Sequence, residues 1–256
     1  MRLKIQHIVI FITIIALLSC RDSPSILTEI HGSQVHITDS LPVSDSLEAF
    51  IKPYREHVNE ELDRALSYAP HTIAKTDGTL NSSAGNLMAD IVMAEASPVF
   101  RSREGKAIDF TLLNYGGIRS VISPGPVSAR TAYEVMPFEN TIVVAELDGK
   151  TVRELVAFLL NADRPHPISG LQIVINPDRS LQQVNIQGVP FDENRTYYVA
   201  TSNYLAEGGD AMGFFKNSQK LIATDYSLRN AIIDYFKKKD TLQPKVDDRF
   251  VIRPNS

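Results

Sequence analysis

The strongest constraint on the fold is a repeated change between segments with the period of a strand and segments with the period of a helix. Residues 141–147, TIVVAEL, are rich in β-branched side chains and end at a turn, and a helical pattern follows over residues 152–160. The segments LQIVIN, LQQVNI and TYYVATSNYL are bounded by turn residues and predict further strands. This mixed order with short connections predicts an α+β fold, a single layered domain of strands and helices, rather than a regular βαβ repeat.

Other segments have helical patterns. Apolar residues recur at steps of three and four over residues 44–67, which predicts one amphipathic helix. A second helix is expected over residues 86–96, with Ser82 or Ser83 as its N-cap. Residues 227–239 predict a third helix, whose run of lysines is expected to lie in solvent at its C-terminus.

The first nineteen residues have the pattern of an export signal. Arg2 and Lys4 precede an apolar run over residues 8–18, which is too short to cross a bilayer about 30 Å thick. The single cysteine of the chain, Cys20, ends the sequence LLSC, which resembles a bacterial lipobox. The alternative is a plain signal peptide followed by a chance free cysteine. An unpaired thiol is a liability in an exported protein, so we expect lipidation at Cys20.

The expected organisation is a lipoprotein signal peptide at residues 1–19, a tether at 20–45 and one domain at 46–256. Acyl chains would then hold the protein to a membrane of the bacterial cell envelope, on the periplasmic side or at the cell surface. The formal net charge of −4 provides no basic field for a nucleic-acid backbone, so polynucleotide binding is not expected.

Familiar catalytic and metal-binding patterns do not occur in the sequence. Its six histidines form no H-x-H, D-x-H or H-E-x-x-H pattern, and no G-x-S-x-G, Walker or G-x-G-x-x-G motif is present. His166, which lies between two prolines, is expected to be a surface-loop residue rather than a metal ligand. An irregular catalytic constellation stays open, because spacing in sequence does not reveal neighbours in space.

Polar and aromatic residues concentrate in loops that contain glycine or proline. NYGGIR, at residues 114–119, follows a strand, and its glycines allow a sharp turn. PFEN places a phenylalanine before a strand, and NYLAEGGDAM is expected to end a strand at its tyrosine and then turn. A nucleotide pocket requires an Arg for anions, an Asp for ribose hydroxyls and aromatic rings for the base. The candidate binding residues are Asn114, Gly116, Gly117, Arg119, Phe138, Tyr204, Gly209 and Asp210. Taken singly, each loop is explained as well by a turn with packed aromatic side chains.

Taken together and in this order, these segments resemble the C-terminal, substrate-binding domain of the 5′-nucleotidase family of exported metallophosphatases. The matching pieces are SSAGNLMADIV at 82–92, NYGGIR at 114–119, EVMPFENTIVVAELDGKTV at 134–152, ISGLQ at 168–172 and YYVATSNYLAEGGDAM at 197–212. The resemblance implies that Phe138 and Tyr204 stack on the base and that Asp210 holds the ribose hydroxyls. It also implies that Asn114 and Arg119 help to bind the ligand.

The sequence departs from the family in two respects. The family's metal-binding motifs belong to a separate N-terminal domain, which the residues before the match do not resemble. The resemblance therefore implies no cofactor and no catalytic residue in this chain, with divalent metals supplied by a separate metallophosphatase chain. Many members also carry an Arg just before the SAGNL match, where this sequence has Leu80 and its neighbours. The ligand is then either a nucleotide held by Arg119 or a nucleoside.

Three functions are compatible with these features of the sequence. In the first, the chain is a nucleoside- or nucleotide-recognition domain that acts in nucleotide catabolism with a metallophosphatase partner. Alternatively, it is a stand-alone nucleoside- or nucleotide-binding lipoprotein of the envelope without hydrolase activity. The third is a structural lipoprotein that keeps the fold but has lost the ligand.

Overall fold

The structure is a computed structural model that describes residues 2–17, 27, 29–38, 40–162 and 164–253. The chain divides into two compact units, Met1–Phe50 and Ile51–Ser256. Helix α1 (Arg2–Leu17) lies in the first unit, and α2 (Asp45–Asp63) crosses the division. No helix in the described ranges is long and apolar enough to cross a membrane. The predicted lipidation site, Cys20, lies outside the described residues.

The second unit contains both helices and strands. Its further helices are α3 (Ser83–Glu104), α4 (Ala129–Val135), α5 (Gly149–Asn161), α6 (Asn203–Ala206) and α7 (Leu228–Lys238). Its strands are β1 (Ala65–Ala69), β2 (Phe110–Leu112), β3 (Gly125–Ser128), β4 (Thr141–Asp148), β5 (Ile168–Ser169), β6 (Leu171–Ile175), β7 (Leu181–Ile186), β8 (Val189–Pro190), β9 (Thr196–Ser202), β10 (Lys220–Ser227) and β11 (Phe250–Ile252). Short 3₁₀ turns occur at Tyr115–Gly117, Gly209–Ala211 and Gly213–Asn217.

Most of these strands belong to two sheets. The central sheet of the described chain has the order β10-β4-β9-β2-β5, in which β2 and β9 are parallel and the other pairs are antiparallel. A second sheet has the order β11-β6-β7-β8, and β1 pairs with β3. Because parallel and antiparallel pairs occur within the same sheet, the predicted α+β class is confirmed.

The central sheet is covered by helices on both faces. Side chains of a strand alternate between its faces, so Ile142 and Val144 of β4 join the core cluster that contains α3 and α7. Ala145 and Leu147 of the same strand join the cluster that contains α5 and Phe215. The central sheet thus lies between two apolar layers.

The structure confirms several predicted elements. Strand β4 and helices α5 and α7 occur where the sequence predicts them, and the lysines that end α7 are exposed. Helix α3 is longer than predicted, but its N-cap is Ser82, whose side chain accepts a hydrogen bond of 3.1 Å from Gly85 N. The helix predicted over residues 44–67 is wrong at its C-terminal end. It stops at Asp63, and Ala65–Ala69 forms β1, because these residues pair with β3.

Candidate functional site

A cavity of about 290 Å³ opens where the loop after β2, the loop before β4 and the segment after β9 meet. Its lining consists of Asn114, Gly116, Gly117, Arg119, Phe138, Asn140, Tyr204 and Asp210. The structure therefore brings together seven of the eight predicted binding residues around one cavity, and Asn140 is an addition. The eighth, Gly209, lies against the ring of Tyr204, since a Cβ at this position would be 2.4 Å from the ring.

The loop after β2 turns tightly at Gly117. A Cβ at Gly117 would lie 2.9 Å from Oδ1 of Asn114. Across the cavity wall, Nδ2 of Asn114 donates a hydrogen bond of 2.6 Å to Oδ2 of Asp210. This bond is short and charge-assisted, so it fixes both side chains at the cavity.

His166 supports the same loop from behind. Its Nδ1 accepts a hydrogen bond of 3.3 Å from the backbone N–H of Tyr115. Burial lowers the pKa of His166, and the nearby Asp210 carboxylate acts in the opposite direction. The prediction of a surface-loop residue is wrong in one respect. His166 does lie on a loop, but it is half-buried because its ring packs 5.3 Å from that of Phe158, measured between ring centroids.

The carboxylate of Asp210 is presented by a turn with unusual backbone angles. Gly208 has a φ of 89° and Asp210 a φ of 51°, so the chain passes through the left-handed region there. Asp is among the residues that tolerate this region best, because its short side chain forms local hydrogen bonds. The conformation places the side chain of Asp210 in the cavity lining rather than in the core.

Two aromatic rings of the lining have large exposed surfaces. Phe138 is 41% exposed and Tyr204 is 44% exposed. The sequence predicts that Tyr204 ends a strand, and this prediction is wrong. Tyr204 lies in α6, because Ser202 caps that helix by accepting a hydrogen bond of 3.3 Å from Leu205 N. Exposed aromatic faces beside a cavity are suited to stacking on a planar ligand.

The loop that carries Phe138 is held by residues that sequence reasoning missed. The guanidinium of Arg229, which is buried in α7, donates hydrogen bonds of 3.1, 3.1 and 2.8 Å to the carbonyl oxygens of Met136, Pro137 and Phe138. Oδ1 of Asn203 accepts a hydrogen bond of 3.0 Å from Thr141 N. These bonds connect the Phe138 loop to α7 and to α6, so the two rings belong to one hydrogen-bonded framework. No local pattern in the sequence indicates such distant partners.

A metal site needs several convergent ligands. Within the described ranges, no group of three His, Cys, Asp or Glu side chains could hold a metal ion. The part of the chain that the structure describes therefore contains no set of ligands for the two metal ions that the resemblance assigns to the family's catalytic domain.

Comparison with known proteins decides the family. The pattern of the family described as "5'-nucleotidase, C-terminal domain" matches residues 65–217, which is more than half of the chain. The chain belongs to this family. As a member of the 5′-nucleotidase C-terminal domain family, it is 30% identical over 144 residues to Protein UshA of Escherichia coli (strain K12), across 54% of this chain and 26% of UshA. It is 24% identical over 222 residues to Protein UshA of Yersinia enterocolitica, across 84% of this chain and 39% of that protein.

Two solved structures share the fold. The crystal structure of a 5'-nucleotidase precursor from Thermus thermophilus matches with a TM-score of 0.66 and 25% identity, over 83% of this chain and 43% of that one. NAD nucleotidase (NadN) of Haemophilus influenzae matches with a TM-score of 0.61 at 19% identity, over 83% of this chain and 42% of that one. The chain spans less than half the length of each of these relatives.

Proposed function

We propose that the cavity binds the nucleoside part of a nucleoside or nucleotide. The observation that carries the proposal is the pairing of two half-exposed rings, Phe138 and Tyr204, with the carboxylate of Asp210 at a cavity of about 290 Å³. The rings stack on the base, and the carboxylate accepts hydrogen bonds from ribose hydroxyls. Stacking tolerates any base because every base has a π-face, so the proposal covers purines and pyrimidines alike.

The charged part of the ligand is assigned to Arg119. This guanidinium lines the cavity, and its Cζ lies 5.9 Å from the centroid of the Phe138 ring. Arg binds phosphate oxygens in a bidentate manner, so it suits a 5′-phosphate that projects from a nucleoside held by the rings. Arg119 therefore binds the phosphate end of the ligand, and Asp210 binds its ribose hydroxyls.

We further propose that the chain acts in nucleotide catabolism with a separate metallophosphatase chain, which supplies the metal ions for phosphate-ester hydrolysis. The support is the family resemblance, which assigns the metals to another domain. The names of two relatives also support it: a trifunctional nucleotide phosphoesterase, YfkN, of Bacillus subtilis and the 5'-nucleotidase precursor of Thermus thermophilus. In this pairing the present chain selects and orients the nucleotide.

The proposed location is the outer surface of a membrane in the bacterial envelope, with lipid attached to Cys20. The support is the sequence of the first twenty residues, in which a basic start, a short apolar run and LLSC follow one another. Paired acyl chains give stable anchoring, whereas a single chain binds only marginally.

The function is tested by calorimetric titration of the full-length chain with adenosine, guanosine, cytidine and uridine, with ribose 5-phosphate as the base-free control. We expect at least one nucleoside to bind more tightly than ribose 5-phosphate. If no nucleoside binds at millimolar concentration, the proposal for the cavity is wrong.

The partner is tested by mixing the chain with metallophosphatases encoded beside its gene and measuring phosphate release from AMP. We expect release above that of the phosphatase alone, and no gain when the chain carries Asp210→Ala. Nucleoside binding without any gain in phosphate release contradicts the partner proposal and favours the stand-alone binder.

A further inference from the structure

Two cationic side chains, Lys75 and Arg164, lie over the ring of Tyr115 beside the cavity, and a third, Arg119, lies next to them. Nζ of Lys75 lies 4.4 Å from the centroid of this ring and donates a hydrogen bond of 2.5 Å to the carbonyl oxygen of Ile118. Cζ of Arg164 lies 5.5 Å from the same centroid. The third cation is Arg119, which follows Ile118 in the chain and lines the cavity. Tyr115 itself lies between two residues of the cavity lining, so the cluster is continuous with the nucleoside site.

The positive charges of this cluster are not balanced within the described part of the chain. None of Lys75, Arg119 and Arg164 forms an ion pair with a described carboxylate. The carboxylate that lines the cavity, Asp210, is hydrogen-bonded to Asn114 instead. Burial lowers the pKa of Lys75, and the neighbouring Arg119 and Arg164 lower it further. Like charges held this close repel one another, and a bound anion relieves the repulsion.

Lys75 also provides a positive charge in a chain that lacks the Arg found near Leu80 in many family members. The resemblance leads to an Arg near Leu80. Leu80 is half-buried and packs against the core cluster that contains α5 and Phe215. It therefore presents no charge to a ligand. The ammonium of Lys75, fixed by the carbonyl of Ile118, adds a positive charge beside Arg119 from a different position in the chain.

We propose that Lys75, Arg119 and Arg164 bind the anionic tail of a nucleotide that carries more than one phosphate. This inference rests on the proposed function, because the nucleoside must occupy the cavity for its tail to reach the cluster. Arg119 contacts the first phosphate at the cavity, and Lys75 and Arg164 contact the next one beside Tyr115. The specificity is therefore for nucleoside diphosphates and longer homologues over monophosphates.

The charges explain this preference. A single phosphate monoester carries about −1.5 to −2 at pH 7 and contacts Arg119 at the cavity, so Lys75 and Arg164 beside Tyr115 are left without an anionic partner. A second phosphate adds negative charge and further acceptor oxygens at the place where Lys75 and Arg164 donate. Hydrogen bonds between ionised partners are roughly twice as strong as neutral ones.

The experiment is a calorimetric titration of the full-length chain with adenosine, AMP and ADP, and with the matching ligands of whichever base binds most tightly. Two variants, Lys75→Met and Arg164→Gln, remove the charge and keep the part of the side chain nearest the backbone. The matched control is Lys239→Met. This lysine follows α7, and its Nζ lies 5.7 Å from the ring of Tyr235, so a similar lysine–tyrosine contact is removed without touching the cluster. Thermal melting of each variant shows whether it is folded.

We expect ADP to bind at least about tenfold more tightly than AMP, and each cluster variant to reduce that ratio by about tenfold. Affinity for adenosine should be the same in the wild type, both variants and the control. Raising the salt concentration should weaken ADP binding more than adenosine binding.

Equal affinities for AMP and ADP, or a ratio that both variants leave unchanged, would overturn the inference while the nucleoside cavity stands. Absence of adenosine binding in the wild type would overturn the proposed function and the inference with it. The adenosine arm therefore distinguishes the two failures.

Discussion

Asn114 and Asp210 are 96 residues apart in sequence, yet Nδ2 of the first donates a hydrogen bond of 2.6 Å to Oδ2 of the second. The bond joins the loop after β2 to the turn after α6, and so closes the cavity on one side. Within the described residues, Oδ1 of Asp210 has no hydrogen-bond partner. A ribose hydroxyl can therefore donate to this oxygen without breaking the bond to Asn114.

Asp210→Asn is expected to weaken nucleoside binding by at least about tenfold, because a hydrogen bond to a charged acceptor contributes about 1.5–3 kcal/mol. Asn tolerates the left-handed backbone, so the melting temperature should change little. The matched control is Asp225→Asn, since Asp225 also has a positive φ, of 53°, but is exposed on β10. Titration calorimetry compares the two, and equal affinities would rule out the role of Asp210.

Phe138→Ala and Tyr204→Ala are each expected to weaken nucleoside binding by about 1–3 kcal/mol, which is the usual contribution of an aromatic ring stacked on a base. Tyr204→Phe keeps the ring and should bind as the wild type does. Because both rings are exposed, the Ala variants should unfold at nearly the same temperature as the parent. Unchanged affinity in both Ala variants would show that the base binds elsewhere or not at all.

Arg229→Met is expected to lower the free energy of unfolding by about 2 kcal/mol or more, because three backbone carbonyls lose a charged donor. The same variant should weaken nucleoside binding, since the loop that carries Phe138 is no longer fixed. Arg153→Met removes an exposed arginine paired with Glu193 and should cost less than about 1 kcal/mol. Chemical denaturation measures both, and equal losses of stability would contradict the positioning role of Arg229.

The stability of the protein should depend on pH through His166. Its folded-state pKa lies below the ordinary value of 6.5, so the unfolded chain binds more protons than the folded one between these two values. The free energy of unfolding is therefore expected to fall as the pH decreases below about 6.5. His166→Asn should flatten this part of the profile, whereas His71→Asn removes an exposed imidazole and serves as the control. Identical profiles for the wild type and His166→Asn would contradict the prediction.

Cys20→Ser is expected to abolish the incorporation of labelled fatty acid into the protein in a bacterial host, because the thiol is the proposed attachment point. The variant should also leave the membrane fraction on mild washing. Substitution of Ser19 by Ala keeps the small residue before the cysteine and should preserve labelling. Label in the Cys20→Ser variant would show that the anchor lies elsewhere.

Local patterns were sufficient to predict part of the fold. The strand β4 and the helix α5 follow from a β-branched run, a turn and an amphipathic run that are adjacent in sequence. The strand β1 was missed because its pairing partner, β3, lies some sixty residues further along, as in the pair Ser67 and Val127. The residues before Tyr204 favour a strand, whereas Ser202 caps a helix that contains Tyr204.

The site likewise contains residues that short sequence motifs reveal and residues that only the structure reveals. Asn114, Phe138 and Asp210 were found because they belong to short motifs, and the structure gathers them around one cavity. Arg229, His166 and Lys75 could not be found, because each acts on a loop that is distant in sequence. A residue type without a local pattern does not show which backbone carbonyl or amide it will reach.

The most direct test of the nucleoside site is a crystal structure of the full-length chain grown with saturating adenosine. We predict that the adenine lies between the rings of Phe138 and Tyr204 and that a ribose hydroxyl lies within hydrogen-bond distance of the Asp210 carboxylate. Adenosine bound at any other place, or a cavity that stays free of adenosine at saturation, would contradict this prediction.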